Sequence, residues 1–384
     1  MKPLHAIIVG AGIGGLTAAV ALRRDGHSVT VLDQTRELRP AGAGISLWSN
    51  GVKVLNALGL GDAIAAVGGR MDWVSYLDRD GKQLCHFSLD PLVERVAQRP
   101  YPVRRTDLQN LLLDAVGVEH VLLGQRCVKV DDDGDGVIVA TESGDRFGAD
   151  LVIAADGANS RLRSYVVGHG TEREYLGYQN WNGLVRRSLG GPDEWTVFLG
   201  EAKRVSTMPV RDGFYFFFDV PLDDPDIDAT RPAPDVLAEH FDGWAPAVQD
   251  LIANIDPATT TNVAIHTHTP LGRFSRGRVA IMGDAAHTTA PDLGQGGCQA
   301  MEDALVLARS LRDTRAGVVE ALERYSAERV PRTEQIIVRA ADRARVTHGH
   351  DPLETEAWYR ELATEDGSRI IEGICRSIES GPLA

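Results

Sequence analysis

The sequence predicts an α/β protein: a discontinuous Rossmann-like domain, a smaller domain built on an antiparallel β-sheet, and C-terminal helices. Three observations carry that prediction. A glycine-rich turn joins a buried strand to a helix near the N-terminus, a second buried strand near residue 280 closes on its own glycine-rich turn, and a meander of short aromatic strands lies between them. At 384 residues the chain is long enough for two or three domains. Hydrophobic residues make up 43%, enough apolar surface to offset chain entropy, so a disordered chain is excluded.

The first element is Ala6-Ile7-Ile8-Val9, apolar throughout as in a strand buried within a parallel sheet. It leads into Gly10-Ala11-Gly12-Ile13-Gly14-Gly15 and then into strong helix formers from Leu16. This is G-x-G-x-x-G in its required strand–turn–helix context. Gly10 permits the tight turn, Gly12 lets a pyrophosphate approach the backbone, and Gly15 lets helix and strand pack closely; Gly14 belongs to the same turn. The next strand, Ser28-Val29-Thr30-Val31-Leu32, ends at Asp33 with Gln34 beside it. Asp33 lies about 20 residues beyond the glycines, where a carboxylate accepts ribose hydroxyls. The cradle alone leaves NAD and FAD open.

The far end of the chain decides between them. Arg278-Val279-Ala280-Ile281-Met282 reads as another buried strand, closing on Gly283-Asp284. Pro291-Asp292-Leu293-Gly294-Gln295-Gly296-Gly297 follows, then an amphipathic helix from about Cys298 to 311. Asp284 at a strand's carboxyl end suits the hydroxyls of a ribityl chain. The turn Gly294, Gln295, Gly296, Gly297 and Cys298 aims backbone N–H groups and a helix's positive end at one spot, where a reduced flavin carries negative charge.

These motifs, with Asp156-Gly157-Ala158-Asn159-Ser160 and Arg163 between them, resemble the single-component FAD-dependent aromatic hydroxylases of the p-hydroxybenzoate hydroxylase type. The resemblance implies that Asp156 supports FAD and the pyridine nucleotide, and that Arg105 reaches the FAD phosphates or ribityl. It also implies that backbone near Cys127 touches the adenine and that Ser46 lies beside the flavin. Asp33 stands where that family usually has Glu, one methylene longer. Only one dinucleotide fingerprint occurs, because Gly42-Ala43-Gly44 and Gly134-Asp135-Gly136 lack the third glycine and the helix. As in that family, NADH is therefore expected to bind transiently across the flavin.

Between the flavin segments, 195–199, 204–210 and 214–220 read as an antiparallel meander with turns at Gly200-Glu201-Ala202-Lys203 and Arg211-Asp212-Gly213. With Asp212-Gly213 as a two-residue loop, Val210 faces Tyr215, and Arg204, Ser206 and Met208 share a face with Tyr215 and Phe217. A longer loop breaks that register. Arg204 is either a clamp for a planar anion or an exposed strand-end arginine in a surface ion pair. Asp292 either orients water or substrate, or caps its loop.

A closer similarity, to the FAD-dependent urate hydroxylases, runs nearly end to end. It is carried by Asn180-Trp181-Asn182-Gly183-Leu184-Val185, Gly200-Glu201-Ala202-Lys203-Arg204-Val205-Ser206, Phe214-Tyr215-Phe216-Phe217-Phe218-Asp219, Pro291 through Cys298 and the tail Ser380-Gly381-Pro382-Leu383. It implies that Asn180, Arg204 and Tyr215 hold urate, with Arg204, Tyr215 and Asp292 as the residues on which turnover depends. It implies hydroxylation of urate at C5 with NADH and O2, by way of a flavin C4a-hydroperoxide, to give 5-hydroxyisourate. The alternatives are another anionic aromatic substrate, of hydroxybenzoate or hydroxynicotinate type, and a non-catalytic FAD-binding redox sensor. An NAD-dependent dehydrogenase leaves the region from Asp284 to Gly297 without a task.

The remaining features are plainer. A net charge of −14 repels phosphate backbones, so nucleic acid is not an expected partner, and an anionic ligand must be held by locally placed cations. Cys85, Cys127, Cys298 and Cys375 form no C-x-x-C pair and read as reduced thiols of a cytoplasmic enzyme. The glycines within 10–15 argue against a signal peptide or a membrane span at 6–22. His266-Thr267-His268 and His348-Gly349-His350 mimic metal spacing without further ligands, and no metal is expected. Asp131-Asp132-Asp133-Gly134-Asp135 reads as a solvated hairpin tip, His287 as structural, and Cys298 as a small buried residue or a dipole-activated thiol. The FAD domain is expected at 1–75, 100–175 and 265–345, and the substrate domain at 76–99 and 176–264. A helical segment is expected at 346–384, with helices over 316–348 and 354–378, a mobile loop over 223–234, and a monomer or homodimer.

Overall fold

The computed structural model describes residues 3–38, 43–226, 231–312 and 317–383. Its centre is a six-stranded sheet in the order Ser275–Arg276, Val279–Ile281, Leu151–Ala154, His5–Val9, Ser28–Leu32 and Val121–Leu122. All neighbours pair in parallel except Ser275–Arg276 with Val279–Ile281. The continuous apolar runs seen in the sequence are buried on both faces, with Ile7, Ile8, Val152, Ile153 and Ala280 fully inaccessible. Four adjacent strands end side by side, so Gly10, Asp33, Ala155 and Met282 all emerge at one sheet edge. Ligands bind at such carboxyl ends.

A seven-stranded sheet forms the second layer, in the order Thr261–His268, Arg173–Val185, Gly213–Pro221, Lys203–Val210, Glu194–Gly200, Trp73–Asp78 and Gln83–Ser88. It is antiparallel except at one joint, where Glu194–Gly200 pairs in parallel with Trp73–Asp78. Trp73–Asp78 crosses the expected boundary at 75–76, and Thr261–His268 crosses the one at 264–265. Pleating divides the central strands. Phe216 and Phe218 face a core with Trp181, Phe241 and Trp244 under the helices Ala233–His240 and Pro246–Ala253, whereas Tyr215, Phe217 and Asp219 face the other way.

The hairpin register differs from the expected one by two residues. Val210 pairs with Gly213 and Met208 with Tyr215, so the loop is Arg211-Asp212, with Asp212 at φ +62°, a conformation Asp tolerates. A shift of two preserves side-chain parity, and Arg204, Ser206 and Met208 do share a face with Tyr215 and Phe217. At the other turn Glu201 and Ala202 both take positive φ, +52° and +59°, as a two-residue hairpin demands. That tip is tied down: Ala202 N–H donates to Tyr359 Oη at 3.2 Å, and the Ala202 carbonyl lies 3.3 Å from His348 Nδ1.

The predicted helix over 316–348 runs as Val318–Thr347, residue 316 lying outside the described residues. The segment 354–378 is two helices, Pro352–Leu362 and Ser368–Glu379. The break follows from local carboxylates. Glu365 accepts from the N–H groups of Gly367 and Arg369, and Asp366 from that of Ser368, which competes with helical bonding. The helix Ala233–His240 begins inside the loop expected over 223–234, of which 227–230 lie outside the described residues. Of the segment 131–135, Asp131 and Asp132 end a strand and 133–135 lie in the hairpin tip, with Asp133 Oδ1 accepting from Asp135 and Gly136 N–H.

Candidate functional site

A cavity of about 830 Å³ lies between the two sheets, with the turn at Gly12 and Gly14 at one end and Arg204, bonded to Asp292 of the second glycine-rich turn, at the other. At the first end, Gly12 caps the helix Ile13–Arg24, and no atom lies within 4 Å of where its Cβ would sit, so its face is open. Gly10 and Gly15 serve packing instead. A Cβ on Gly15 would stand 2.0 Å from the Gly10 carbonyl oxygen, and one on Gly10, at φ +110°, 2.2 Å from that of Ala155. Gly14 lines the cavity against Ala300.

Asp33 also lines the cavity, with Oδ2 accepting from Ala11 N–H at 2.7 Å and Oδ1 from Thr35 N–H at 2.8 Å. Gln34 points to solvent and does not line it. Ser46 and Arg105 are wall residues, and Arg105 Nε donates to the Gly44 carbonyl at 3.3 Å. Gln109, not anticipated, lines the cavity and donates to Ala11 at 3.0 Å. Cys127, which is buried, and Asp156 do not line the cavity. Asp156 Oδ2 accepts from Arg161 N–H at 3.0 Å, and its buried Oδ1 has no partner. Arg163 binds the carbonyls of Ala158, Asp284 and Ala285, which fastens the middle motif to the third.

The floor is Asp284 with Gly294, Gln295, Gly296 and Gly297, at the N-terminus of the helix Gly296–Leu311. Gln295 is locked by Asn50 and Gln299. Cys298 is fully buried beneath this floor, and burial pushes its thiol up to about 12, so the helix dipole does not make it a reactive thiolate. His287 Nε2 donates to Asp303 Oδ2 at 2.6 Å, deep in the core.

At the other end Arg204 is no surface arginine. Its side chain is 11% exposed; Nε donates to Asp219 Oδ2 at 2.7 Å and Nη2 to Asp292 Oδ1 at 3.1 Å. Its guanidinium lies over the Phe217 ring, 5.2 Å from the centroid. Burial alone would raise the Asp292 pKa, but the Arg204 guanidinium and His348 outweigh it and hold the carboxyl well below the usual range. Tyr178 Oη donates to Asp292 Oδ2 at 2.5 Å, and its ring stacks on that of His348 at 3.8 Å. Asn180 lines the cavity but is committed to neighbours: Nδ2 donates to Asp219 at 2.7 Å and Oδ1 accepts from Asn182 at 2.9 Å. Tyr215 lines it too; burial pushes its phenol up to about 12, which keeps it a neutral O–H donor.

The FAD binding domain family matches residues 4–340. An FAD-dependent urate hydroxylase of Klebsiella pneumoniae is 49% identical over 99% of this chain and 100% of its own length. The chain belongs to the FAD-dependent urate hydroxylase family. A member from Mycolicibacterium vanbaalenii is 45% identical over 99% of this chain and 98% of its own. The solved structure of Klebsiella pneumoniae HpxO complexed with FAD and uric acid shares 48% identity and a TM-score of 0.96, covering 99% of this chain and 98% of that one.

The residues present fit the cofactor of this urate hydroxylase family. The open face of Gly12, two helix N-termini aimed into one cavity and the buried, unpartnered hydroxyl of Thr289 in its wall form a cradle of the required polarity. Gly12, Asp33, Ser46 and Arg105 would hold the dinucleotide side, and Asp284 and 294–297 the ring side. Sequence reasoning missed Tyr178 and Asp219, and Arg343 and Trp358, which also line the cavity, and gave His348 only a metal-like spacing. Among the described residues no group of metal-ligating side chains occurs, and no helix is long and apolar enough to cross a membrane.

Proposed function

We propose that this chain hydroxylates urate at C5 with NADH and O2 to give 5-hydroxyisourate. The observation that carries the reading is Arg204, fixed by two carboxylates at the end of an FAD-sized cavity walled by Tyr76, Trp195, Tyr215 and Phe217. Hydride acceptance and O2 activation are the chemistry that FAD supplies when bound.

The protein's part is placement. Asp219 and Asp292 take Nε and Nη2 of Arg204, so its remaining N–H groups keep a set direction toward the oxygen and nitrogen edge of a planar purine. Tyr215 Oη donates to a second position on that ring. Asn180 holds Asp219, and Tyr178 holds Asp292 in the ionised form that a bound N–H or water needs as an acceptor. The aromatic walls exclude water, which protects the oxygen-transfer step from wasteful discharge. Four free, buried cysteines suit a reducing compartment, and the cytoplasm is the proposed location. One chain lines the cavity, as a monomer or homodimer would allow.

The test is NADH consumption by the yellow purified protein with and without urate, followed with product absorbance. Urate should stimulate oxidation and yield the hydroxylated product. Stimulation by a hydroxybenzoate but not by urate would replace the substrate, and no stimulation by either would leave a redox sensor.

A further inference from the structure

In a chain of net charge −14, an anionic substrate needs a local cation, and Arg204 is poorly placed to be that cation by itself. One guanidinium there meets two carboxylates, Asp219 and Asp292, whose side chains are fully buried. Its charge is spent within the protein, and what it offers a ligand is direction.

Two other arginines enter the same cavity from the long helix Val318–Thr347: Arg339 and, one turn on, Arg343. The Arg343 guanidinium carbon lies over the Trp358 ring, 4.0 Å from its centroid. Among the described residues it has no hydrogen bond and no ion pair. Arg339 donates from Nη2 to the Gly373 carbonyl at 3.1 Å and likewise meets no carboxylate. Glu361 shares the cavity wall without closing onto either. A guanidinium withdrawn from bulk water with its N–H edge unfilled is unfavourable unless a ligand completes it. Trp358 supplies one face by stacking and leaves the donor edge open.

We propose that Arg343 binds the anionic edge of the heteroaromatic substrate and supplies the net positive charge that the doubly paired Arg204 does not. The proposal rests on the reading of the cavity as the site of a urate-like anion. It divides the work: Arg204 sets orientation, Arg343 selects charge state, and Arg339 adds to the field.

The test is titration of FAD-loaded protein with urate, read by the flavin absorbance change at low and high salt. Arg343→Gln should raise the urate Kd by at least about tenfold, the loss expected for one charge-assisted hydrogen bond, and flatten its salt dependence. FAD content and the KM for NADH should stay as in the parent. Arg343→Lys, which keeps the charge, should recover most of the affinity. An unchanged urate Kd in Arg343→Gln overturns the proposal, and so does a raised KM for NADH with urate affinity intact, which would assign the guanidinium to the dinucleotide. Should Arg343→Gln fail to fold, Trp358→Leu, which keeps the charge but removes the ring that holds the guanidinium, decides: a urate Kd raised by about threefold or more supports the proposal, and a smaller change overturns it. A parent protein that binds no urate at all removes the substrate reading beneath it, an outcome distinct from a parent that binds and a variant that binds equally well.

Discussion

Arg204 between Asp219 and Asp292 sets the expectation for its own replacement. Arg204→Ala removes the guanidinium that touches both buried carboxylates, so urate turnover should fall by about a hundredfold or more. Bound FAD should remain, as measured by flavin absorbance per protein; a colourless variant would show that Arg204 serves the cofactor instead. The partner Asp219 escaped sequence reasoning for a definite reason. With Asp212-Gly213 as the loop, Arg204 falls opposite Pro221; the observed loop brings Asp219 opposite it. The face was legible because side-chain parity survives a two-residue slip, and the ion pair was not because it does not. Tyr178 and His348 meet Asp292 only through tertiary packing, at separations that no local pattern encodes.

At the level of the turn and its flanking strand and helix, two glycines separated by three positions make opposite demands. Gly12→Ala places a methyl in open space, so the apoprotein should melt like the parent while FAD affinity drops by about tenfold or more. Gly15→Ala drives a methyl onto the Gly10 carbonyl and should cost about 1–3 kcal/mol as well as the cofactor. Apoprotein Tm and FAD Kd, measured side by side, separate the two; equal behaviour would contradict the division. These strand–turn–helix units were legible because each signal is contiguous in sequence. The parallel joint of Glu194–Gly200 to Trp73–Asp78 joins segments over a hundred residues apart, and the break at 363–367 depends on Asx-like side-chain bonding too local for a helical period to register.

Across the whole molecule, Arg329 ties the layers together. From the long helix it donates to Asp303 at 2.6 Å and to Glu302 at 2.8 Å, and Asp303 also accepts from the Gly283 N–H of the flavin floor at 2.8 Å. Arg329→Met takes one cation from two buried carboxylates, leaving Glu302 with Arg332 and Asp303 with His287, and should destabilise the fold by about 3 kcal/mol, read as a fall in urea midpoint. The same pairing fixes the acid limb. Burial raises the Asp303 pKa, but His287 and Arg329 outweigh it and bring it below its ordinary value of 3.8; Asp292 is lowered likewise. Carboxyls depressed on folding contribute fully above that ordinary value and lose their contribution as pH falls through the lower, folded one. Tm should therefore show no loss from these groups between pH 7 and about pH 4 and should decline below it. A decline already complete by pH 5 would contradict the assignment.

The mixed joint in the seven-stranded sheet bears on how such an enzyme can be re-engineered. The strand before Arg204 hydrogen-bonds to a segment encoded more than a hundred codons upstream, so a cassette spanning 173–268 carries away five strands of the seven-stranded sheet and leaves the two at its far edge behind. Specificity cannot be transplanted as one contiguous block. A functional chimera must exchange both segments together, with the upstream hairpin matched to its new neighbour.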